Sequence, residues 1–269
     1  MKKLFHVVLL AVISFASMPL AASENIGLTV GVDYVSKKKW RGVPVFDGLI
    51  DGEIFPVEGA FLPFVSYNVM DTGLSLEIRG KFAESYIIDG NKTHRGGNST
   101  DFNLDYSNKF GLVTLGAGAW YFRYWDNNRT YSDVYVSLEL TDIFLSPVII
   151  YTQDYYFDTK YWKDFYLQIG ISHSFDIVTD IVYLKLAAIA GYFNRQSDKV
   201  RGISDIDLSA ELNAKSGAIT YSAGFHYVIV PLKAFYRSSG QVDWSYPDNP
   251  KSVKDRNRFH AAFGVSYTF

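Results

Sequence analysis

The sequence of 269 residues contains no cysteine, which excludes disulfide frameworks and thiolate metal sites. Clustered positive charge is also missing, since 26 lysines and arginines stand against 28 aspartates and glutamates, a net charge of −2. A nucleic-acid-binding surface needs a basic patch, so we expect no nucleic-acid partner. Beyond the N-terminal segment, no stretch is apolar for the roughly 20 residues that a membrane-spanning helix requires.

The N-terminal segment has the parts of a secretory signal peptide. Two lysines precede an apolar run from Leu4 to Phe15, and small residues follow up to Ala22. Polar residues and a proline interrupt this run before it is long enough to span a membrane as a helix. We therefore predict that residues 1–22 are a cleaved signal peptide and that residues 23–269 form one domain.

Aromatic residues are abundant, at 17% of the chain, with 20 tyrosines and 20 phenylalanines. Membrane β-barrels place such residues in girdles at the two bilayer interfaces. The segment of residues 259–269, FHAAFGVSYTF, carries aromatic or apolar residues at odd positions and small or polar ones at even positions. A strand between lipid and an aqueous lumen must alternate in this way. A strand of a soluble sandwich could also alternate, but the signal peptide favours a barrel.

The alternation predicts an all-β fold, a closed antiparallel transmembrane β-barrel of about 12 strands. The predicted strands are residues 26–38, 54–69, 74–86, 102–107, 110–124, 134–141, 147–157, 165–175, 181–194, 205–213, 218–230 and 259–269. The fourth predicted strand is shorter than the others, so its true start is expected inside the preceding loop. An even number of strands allows the first and last to pair, which leaves no strand edge in lipid.

Short and long connections alternate between these strands. The short ones are predicted at residues 70–73, 108–109, 142–146, 176–180 and 214–217. The outer-membrane pattern places short turns in the periplasm and long polar loops outside. All five tryptophans fall in or beside the long connections: Trp40, Trp120, Trp125, Trp162 and Trp244.

Most strands have one clear apolar face, which we predict to point outward. Its members are Ile26, Leu28, Val30, Val32, Tyr34, Leu76, Ile78, Phe82, Val134, Val136, Leu138, Leu140, Phe165, Leu167, Ile169, Ile171, Ile206, Leu208, Leu212, Ile219, Tyr221, Phe225 and Tyr227. In residues 110–124 and 147–157 apolar side chains occupy both faces, and a bulge could shift the phase. No facing is predicted for those two strands.

Charged and histidine side chains occupy the opposite face and are the candidate lumen-lining residues. They are Asp33, Glu58, Glu77, Arg79, Lys81, Asp105, Glu139, Lys185, Asp207, Glu211, His226 and His260. Charges of both signs could fill the interior with salt bridges. They could equally line a narrow pore whose excess of acid disfavours anions. The long connection of residues 231–258 could fold inward as a constriction or lie at the surface.

No catalytic constellation is evident, so we predict that the protein is not an enzyme. A serine hydrolase needs a histidine within reach of the serine and a third, orienting group. His173 and Ser174 are adjacent, but they lie near the periplasmic end of their predicted strand and lack the His-x-Ser-Asn arrangement of outer-membrane phospholipase A. His226 or His260 with Ser238 or Ser239 is a remote alternative. The two histidines could form a metal or proton site, although lumen histidines more often bond to their neighbours. We predict no metal and no cofactor.

One local segment is more specific to a protein family than the alternation of polar and apolar residues is. The residues Asp33-Tyr34-Val35-Ser36-Lys37, Trp40-Arg41-Gly42, Asp47-Gly48 and Pro56 resemble the opening of a family of uncharacterised bacterial outer-membrane proteins that includes the TorF-type porins. Lys38-Lys39 stand where that pattern has an aromatic and aliphatic pair. The match covers the first two predicted strands, and it implies a porin without implying a solute.

The expected function is passive or weakly selective diffusion of small hydrophilic solutes across the bacterial outer membrane, with neutral or cationic solutes favoured. The expected partners are outer-membrane lipid and those solutes. A plugged barrel that acts as an adhesin, receptor or structural protein is the alternative. An outer-membrane hydrolase is a more remote one.

Overall fold

The computed structural model describes the chain in fourteen ranges. They are residues 26–36, 39–40, 43–44, 48–50, 53–55, 59–70, 72–83, 86–88, 91–93, 98–125, 130–155, 164–195, 200–231 and 258–269. The predicted signal peptide (1–22), Glu58, Ser238 and Ser239 lie outside them. Within these ranges, no helix is long and apolar enough to cross a membrane.

Twelve strands, labelled β1 to β12, form a closed barrel. Their bounds are β1 Leu28–Ser36, β2 Gly59–Val69, β3 Leu74–Ala83, β4 Ser99–Phe110, β5 Val113–Tyr124, β6 Thr130–Leu140, β7 Val148–Tyr155, β8 Phe165–Val178, β9 Val182–Arg195, β10 Val200–Ser216, β11 Ile219–Ile229 and β12 Arg258–Thr268. Every pairing is antiparallel, and β1 pairs with both β2 and β12. The prediction of a closed antiparallel barrel with 12 strands is confirmed.

Three short hairpins lie in the connections after β1 and β3. Lys39–Trp40 pairs with Val43–Pro44, Gly48–Ile50 with Glu53–Phe55, and Tyr86–Ile88 with Asn91–Thr93. The prediction that the second barrel strand starts at residue 54 is therefore wrong. Residues 53–55 pair locally, and β2 begins at Gly59.

The turn predicted at residues 108–109 is also wrong. Asn108 and Lys109 continue β4 and pair with Leu115 and Thr114. The chain reverses at Gly111, whose φ of 62° is accessible to glycine without strain.

Other strands extend beyond their predicted ends, because polar residues that looked like loop still pair in the barrel. β4 begins at Ser99, inside the predicted loop, and β6 and β10 begin at Thr130 and Val200. The sequence alone does not separate a polar strand end from a polar loop.

An apolar belt covers the outside of the barrel. Its side chains include Leu76 and Ile78 on β3, Val136 on β6 and Ile169 on β8, each about half exposed. Paired residues of neighbouring strands share a face, and by the observed pairings every residue predicted to point outward from a barrel strand lies on this face. In β5 and β7, for which no facing was predicted, the odd-numbered residues point outward. This belt is the lipid-facing surface.

Candidate functional site

The strand pairings place all predicted lumen residues that the structure describes on the inner face of the barrel. Glu77 and Arg79, for example, alternate with the exposed Leu76 and Ile78 and pair with inward residues of β2 and β4. The inward residues of the predicted set are Asp33, Glu77, Arg79, Lys81, Asp105, Glu139, Lys185, Asp207, Glu211, His226 and His260. Their functional roles remain predictions.

Arg79 forms the best-defined ion-pair cluster on this face. Its Nε lies 2.8 Å from Oε1 of Glu77, and its Nη1 lies 2.9 Å from Oδ2 of Asp33, two strands away. The guanidinium carbon lies 4.8 Å from the centre of the Phe64 ring. That ring packs against Gly31, where a Cβ would come within 2.6 Å of it. Two carboxylates thus share one guanidinium, and the cluster carries a formal excess of one negative charge.

A second cluster contains the two histidines of the predicted set. Nδ1 of His226 lies 3.1 Å from Oδ2 of Asp207 on β10. The His226 ring stacks on His260 of β12, with ring centres 4.4 Å apart and planes 7° from parallel. His260 is buried, whereas a quarter of the His226 side chain is exposed. His226 is therefore the member of the pair that faces open space.

One side of the inner face carries small side chains and lines a cavity of about 350 Å³. We call this side the small-residue wall; it consists of Thr220, Ser222 and Gly224 on β11 and Ala262, Gly264 and Ser266 on β12. Asp33, Arg79, Glu211 and His226 border the same cavity. Space remains here because six inward positions of two adjacent strands, within residues 220–224 and 262–266, hold no side chain larger than threonine.

Aromatic rings cover another part of the inner face, on four of the strands from β5 to β9, and we call it the aromatic wall. Its members are Trp120, Phe122, Tyr131, Tyr135, Tyr166 and Phe193, on β5, β6, β8 and β9. Trp120 and Phe122 stack with their planes 7° apart, and Tyr166 packs edge-on against Phe193 at 6.0 Å. Trp120, which lies beside a long connection, thus points into the lumen rather than into a lipid girdle.

Four buried aspartates on the inner face were missed by the sequence analysis: Asp101, Asp133, Asp154 and Asp205. Asp133 and Asp154 pair directly across β6 and β7, and Asp205 accepts a hydrogen bond of 2.9 Å from the Tyr166 hydroxyl. Asp101, Asp133 and Asp205 lie at strand ends that the sequence predicted as loops or as strand boundaries. Asp154 lies on a strand for which no inner or outer face was predicted. The sequence did contain a signal for Asp101. Asp101, Asn103 and Asp105 are spaced two residues apart, so a strand that points Asp105 inward also points Asp101 inward.

Carboxylates outnumber basic groups on the inner face. Among the inward strand residues whose side chains the structure describes, the acids are Asp33, Glu77, Asp101, Asp105, Asp133, Glu139, Asp154, Asp176, Asp205, Asp207 and Glu211. The lysines and arginine are Arg79, Lys81, Lys109, Lys185 and Lys215. The described part of the lumen is therefore acidic, in the direction that the sequence predicted.

The structure does not bring a hydrolase site together at His173 and Ser174. These neighbours point to opposite faces of β8, because successive strand residues alternate. The His173 ring lies on the outer face between Phe144 and Phe175, with ring centres 4.5 and 4.4 Å away. Within the described ranges, no three histidine, aspartate or glutamate side chains cluster closely enough to hold a metal ion.

No protein-family model matches the sequence, and no curated protein is similar enough in sequence to be recognised as a relative. Solved structures of similar fold include two porins. The KdgM porin in complex with disordered oligogalacturonate has a TM-score of 0.52 at 11% identity, covering 90% of this chain and 99% of that one. The NanC porin has a TM-score of 0.51 at 13% identity, covering 90% of this chain and 100% of that one. With its apolar belt and its acidic lumen, this chain has the fold of a 12-stranded outer-membrane porin barrel and lies in the bacterial outer membrane.

Proposed function

We propose that the protein is a diffusion channel for small hydrophilic solutes, with neutral and cationic solutes favoured over anions. The observation that carries the proposal is the cavity of about 350 Å³ along the small-residue wall. A water molecule occupies about 30 Å³ of liquid, so the cavity has room for a hydrated ion or a small organic solute. We take this cavity to be part of the solute path.

The charge preference follows from the groups that border the cavity. Arg79 is already engaged by Asp33 and Glu77, so its positive charge is offset. Glu211 adds a carboxylate on the other side of the cavity. Charged side chains that line a pore select ions of the opposite sign. The acidic lumen argues against a polyanion, such as the oligogalacturonate held by the KdgM porin, as the solute here.

Purified protein in a planar lipid bilayer is expected to give discrete conductance steps. Under a potassium chloride gradient, the reversal potential should have the sign of a channel that passes potassium more readily than chloride. A reversal potential that indicates anion selectivity would refute the predicted charge preference, but the proposal that the protein is a channel would stand. An absence of conductance at every voltage would refute the channel itself.

Replacing Arg79 with glutamine is expected to increase the preference for cations. The substitution leaves Asp33 and Glu77 without their shared counter-charge beside the cavity. A unit charge about 7 Å from a passing ion changes the energy of that ion by roughly RT in water, which corresponds to a change of about threefold in its permeability. Because the charge acts in opposite directions on potassium and chloride, their permeability ratio should change by about sevenfold. The measurement is the permeability ratio of potassium to chloride, taken from the reversal potential.

Lys109→Gln is the matched control for Arg79→Gln, because it also removes one positive charge. Lys109 pairs with Asp142 near a short turn, and half of its side chain is exposed. Its removal should leave the permeability ratio nearly unchanged. Equal effects of the two variants would mean that overall charge, rather than the cavity border, sets the selectivity.

A plugged barrel that acts as a receptor, adhesin or structural protein is the second candidate. It is favoured by the buried residues at the long-loop ends of several strands, where Ser99, Asp154 and Ser204 are almost fully buried. Conductance decides between the two candidates. A folded, heat-modifiable protein that never conducts would favour the plugged barrel.

We also propose that the chain is a TorF-type porin, on the strength of the residues between Asp33 and Pro56 that resemble that family. The protein is proposed not to be an enzyme. Purified protein should hydrolyse neither phospholipid, lipid A nor peptide. Turnover that His226→Ala or His260→Ala abolishes would contradict this proposal and favour a membrane hydrolase.

A further inference from the structure

We propose that His226 determines how strongly the channel discriminates between cations and anions, and that proton uptake by this side chain weakens the discrimination. The inference rests on the proposed function, because it needs the cavity beside the small-residue wall to be the solute path. His226 borders that cavity, and part of its ring is exposed. It is thus placed to act on a passing ion.

The two ring nitrogens of His226 have different surroundings. Nδ1 lies 3.1 and 3.2 Å from the two carboxylate oxygens of Asp207, which hold the ring in place. Nε2 lies on the side of Gly224, 3.6 Å from where a Cβ of that residue would stand. Because Gly224 has no side chain, the space beside Nε2 remains open. A proton can therefore reach Nε2 from the cavity without any movement of Asp207.

Charged and titratable groups surround His226 on each neighbouring strand. Asp207 and Glu211 lie on β10, and His260 lies on β12. Asp33 and Arg79 border the same cavity from β1 and β3. With His226 neutral, the carboxylates of Asp207 and Glu211 give this side of the cavity negative charge. Addition of one proton converts the His226–Asp207 contact into a neutral ion pair and leaves Glu211 as the remaining charge.

The stack with His260 restricts the pair to one added proton. Two imidazolium rings with centres 4.4 Å apart repel each other. The better exposed ring, with a carboxylate beside its Nδ1, is the one that gains the proton. Histidine is the side chain that ordinarily titrates between pH 5 and 8, whereas aspartate and glutamate ordinarily titrate below this range. The proton that we propose at the cavity border is therefore placed on histidine rather than on a carboxylate.

The test is the permeability ratio of potassium to chloride in planar bilayers at several values between pH 5.5 and pH 8, at low salt. For the unmodified protein, we expect the ratio to fall as the pH falls, by about sevenfold for one added charge near the path, since that charge lowers the permeability to potassium and raises the permeability to chloride. His226→Asn should give a ratio that is high and independent of pH, since asparagine can still bond to Asp207 but carries no charge. His173→Asn, on the outer face, is the matched control and should behave as the unmodified protein.

The outcomes separate the two proposals. Absence of conductance at any pH would overturn the proposed function. If the unmodified protein conducts but its permeability ratio of potassium to chloride does not depend on pH, the role of His226 is overturned and the proposed channel function stands. A pH dependence that persists in His226→Asn but disappears in His260→Asn would assign the effect to the buried ring and also overturn the proposal. Heat-modifiable migration of each variant confirms that it has folded.

Discussion

Replacing Val136 with arginine is expected to reduce the free energy of unfolding in lipid by about 2 to 4 kcal/mol, the cost of a basic side chain on the lipid face near the bilayer midplane. Val136 lies in the middle of β6, and more than half of its side chain is exposed on the outer belt. The described cross-strand partners of Val136, Ala117 and Tyr151, offer the guanidinium no counter-charge. Unfolding by urea or guanidinium in lipid vesicles measures the loss.

The neighbouring residue provides the control for that variant. Ser137 points into the lumen, next to the inward Gly116 of β5, and lies two residues from Glu139 on the same face. Ser137→Arg should cost far less stability than Val136→Arg, since an inward arginine meets water and a carboxylate. Equal losses at the two positions would contradict the assignment of the two faces of β6.

Attachment of a bulky group at Gly224 is expected to lower the single-channel conductance by more than half. The chain contains no cysteine, so Gly224→Cys would carry a single thiol. A Cβ at this position would meet no atom closer than 3.6 Å, so the substitution should be tolerated. A trimethylammonium-ethyl methanethiosulfonate adduct has the volume of several water molecules of about 30 Å³ each. It would occupy much of the cavity of about 350 Å³. The measurement is conductance before and after the reagent is added.

Two further single-cysteine variants test where the solute path lies. Ala223 is the outward neighbour of Gly224, so Ala223→Cys should conduct normally after treatment. Ser137→Cys places the thiol on the inner face of β6, on the opposite side of the barrel, and should give a smaller reduction than Gly224→Cys. A larger reduction of conductance for Ser137→Cys would indicate that the solute path does not run along the small-residue wall.

Period-two alternation determined the fold class and the two faces of most strands. Residues 259–269 illustrate why: in a closed barrel between lipid and water, each position has one of two environments, and the side chain must match it. Leu76, Glu77, Ile78 and Arg79 follow the same rule on β3. The alternation was misleading at the ends of strands, where a strand leaves the lipid and both of its faces carry polar residues. Asp101 and Asp133 lie at polar strand ends, and the turn at Gly111 was placed too early because Asn108 and Lys109 look like turn residues.

The composition of the lumen was thus predictable, but its arrangement was not. Alternation gives the face of a residue and says nothing of its height relative to residues on other strands, which depends on the register of every pairing around the barrel. The contact of Arg79 with Asp33, two strands away, and the stacking of His226 on His260 required that register. The side of the lumen on which the cavity lies also depended on it, because open space arises only where small residues of adjacent strands coincide. The sequence by itself determined which residues face lipid and which face the lumen, and only the tertiary structure decided which lumen residues meet.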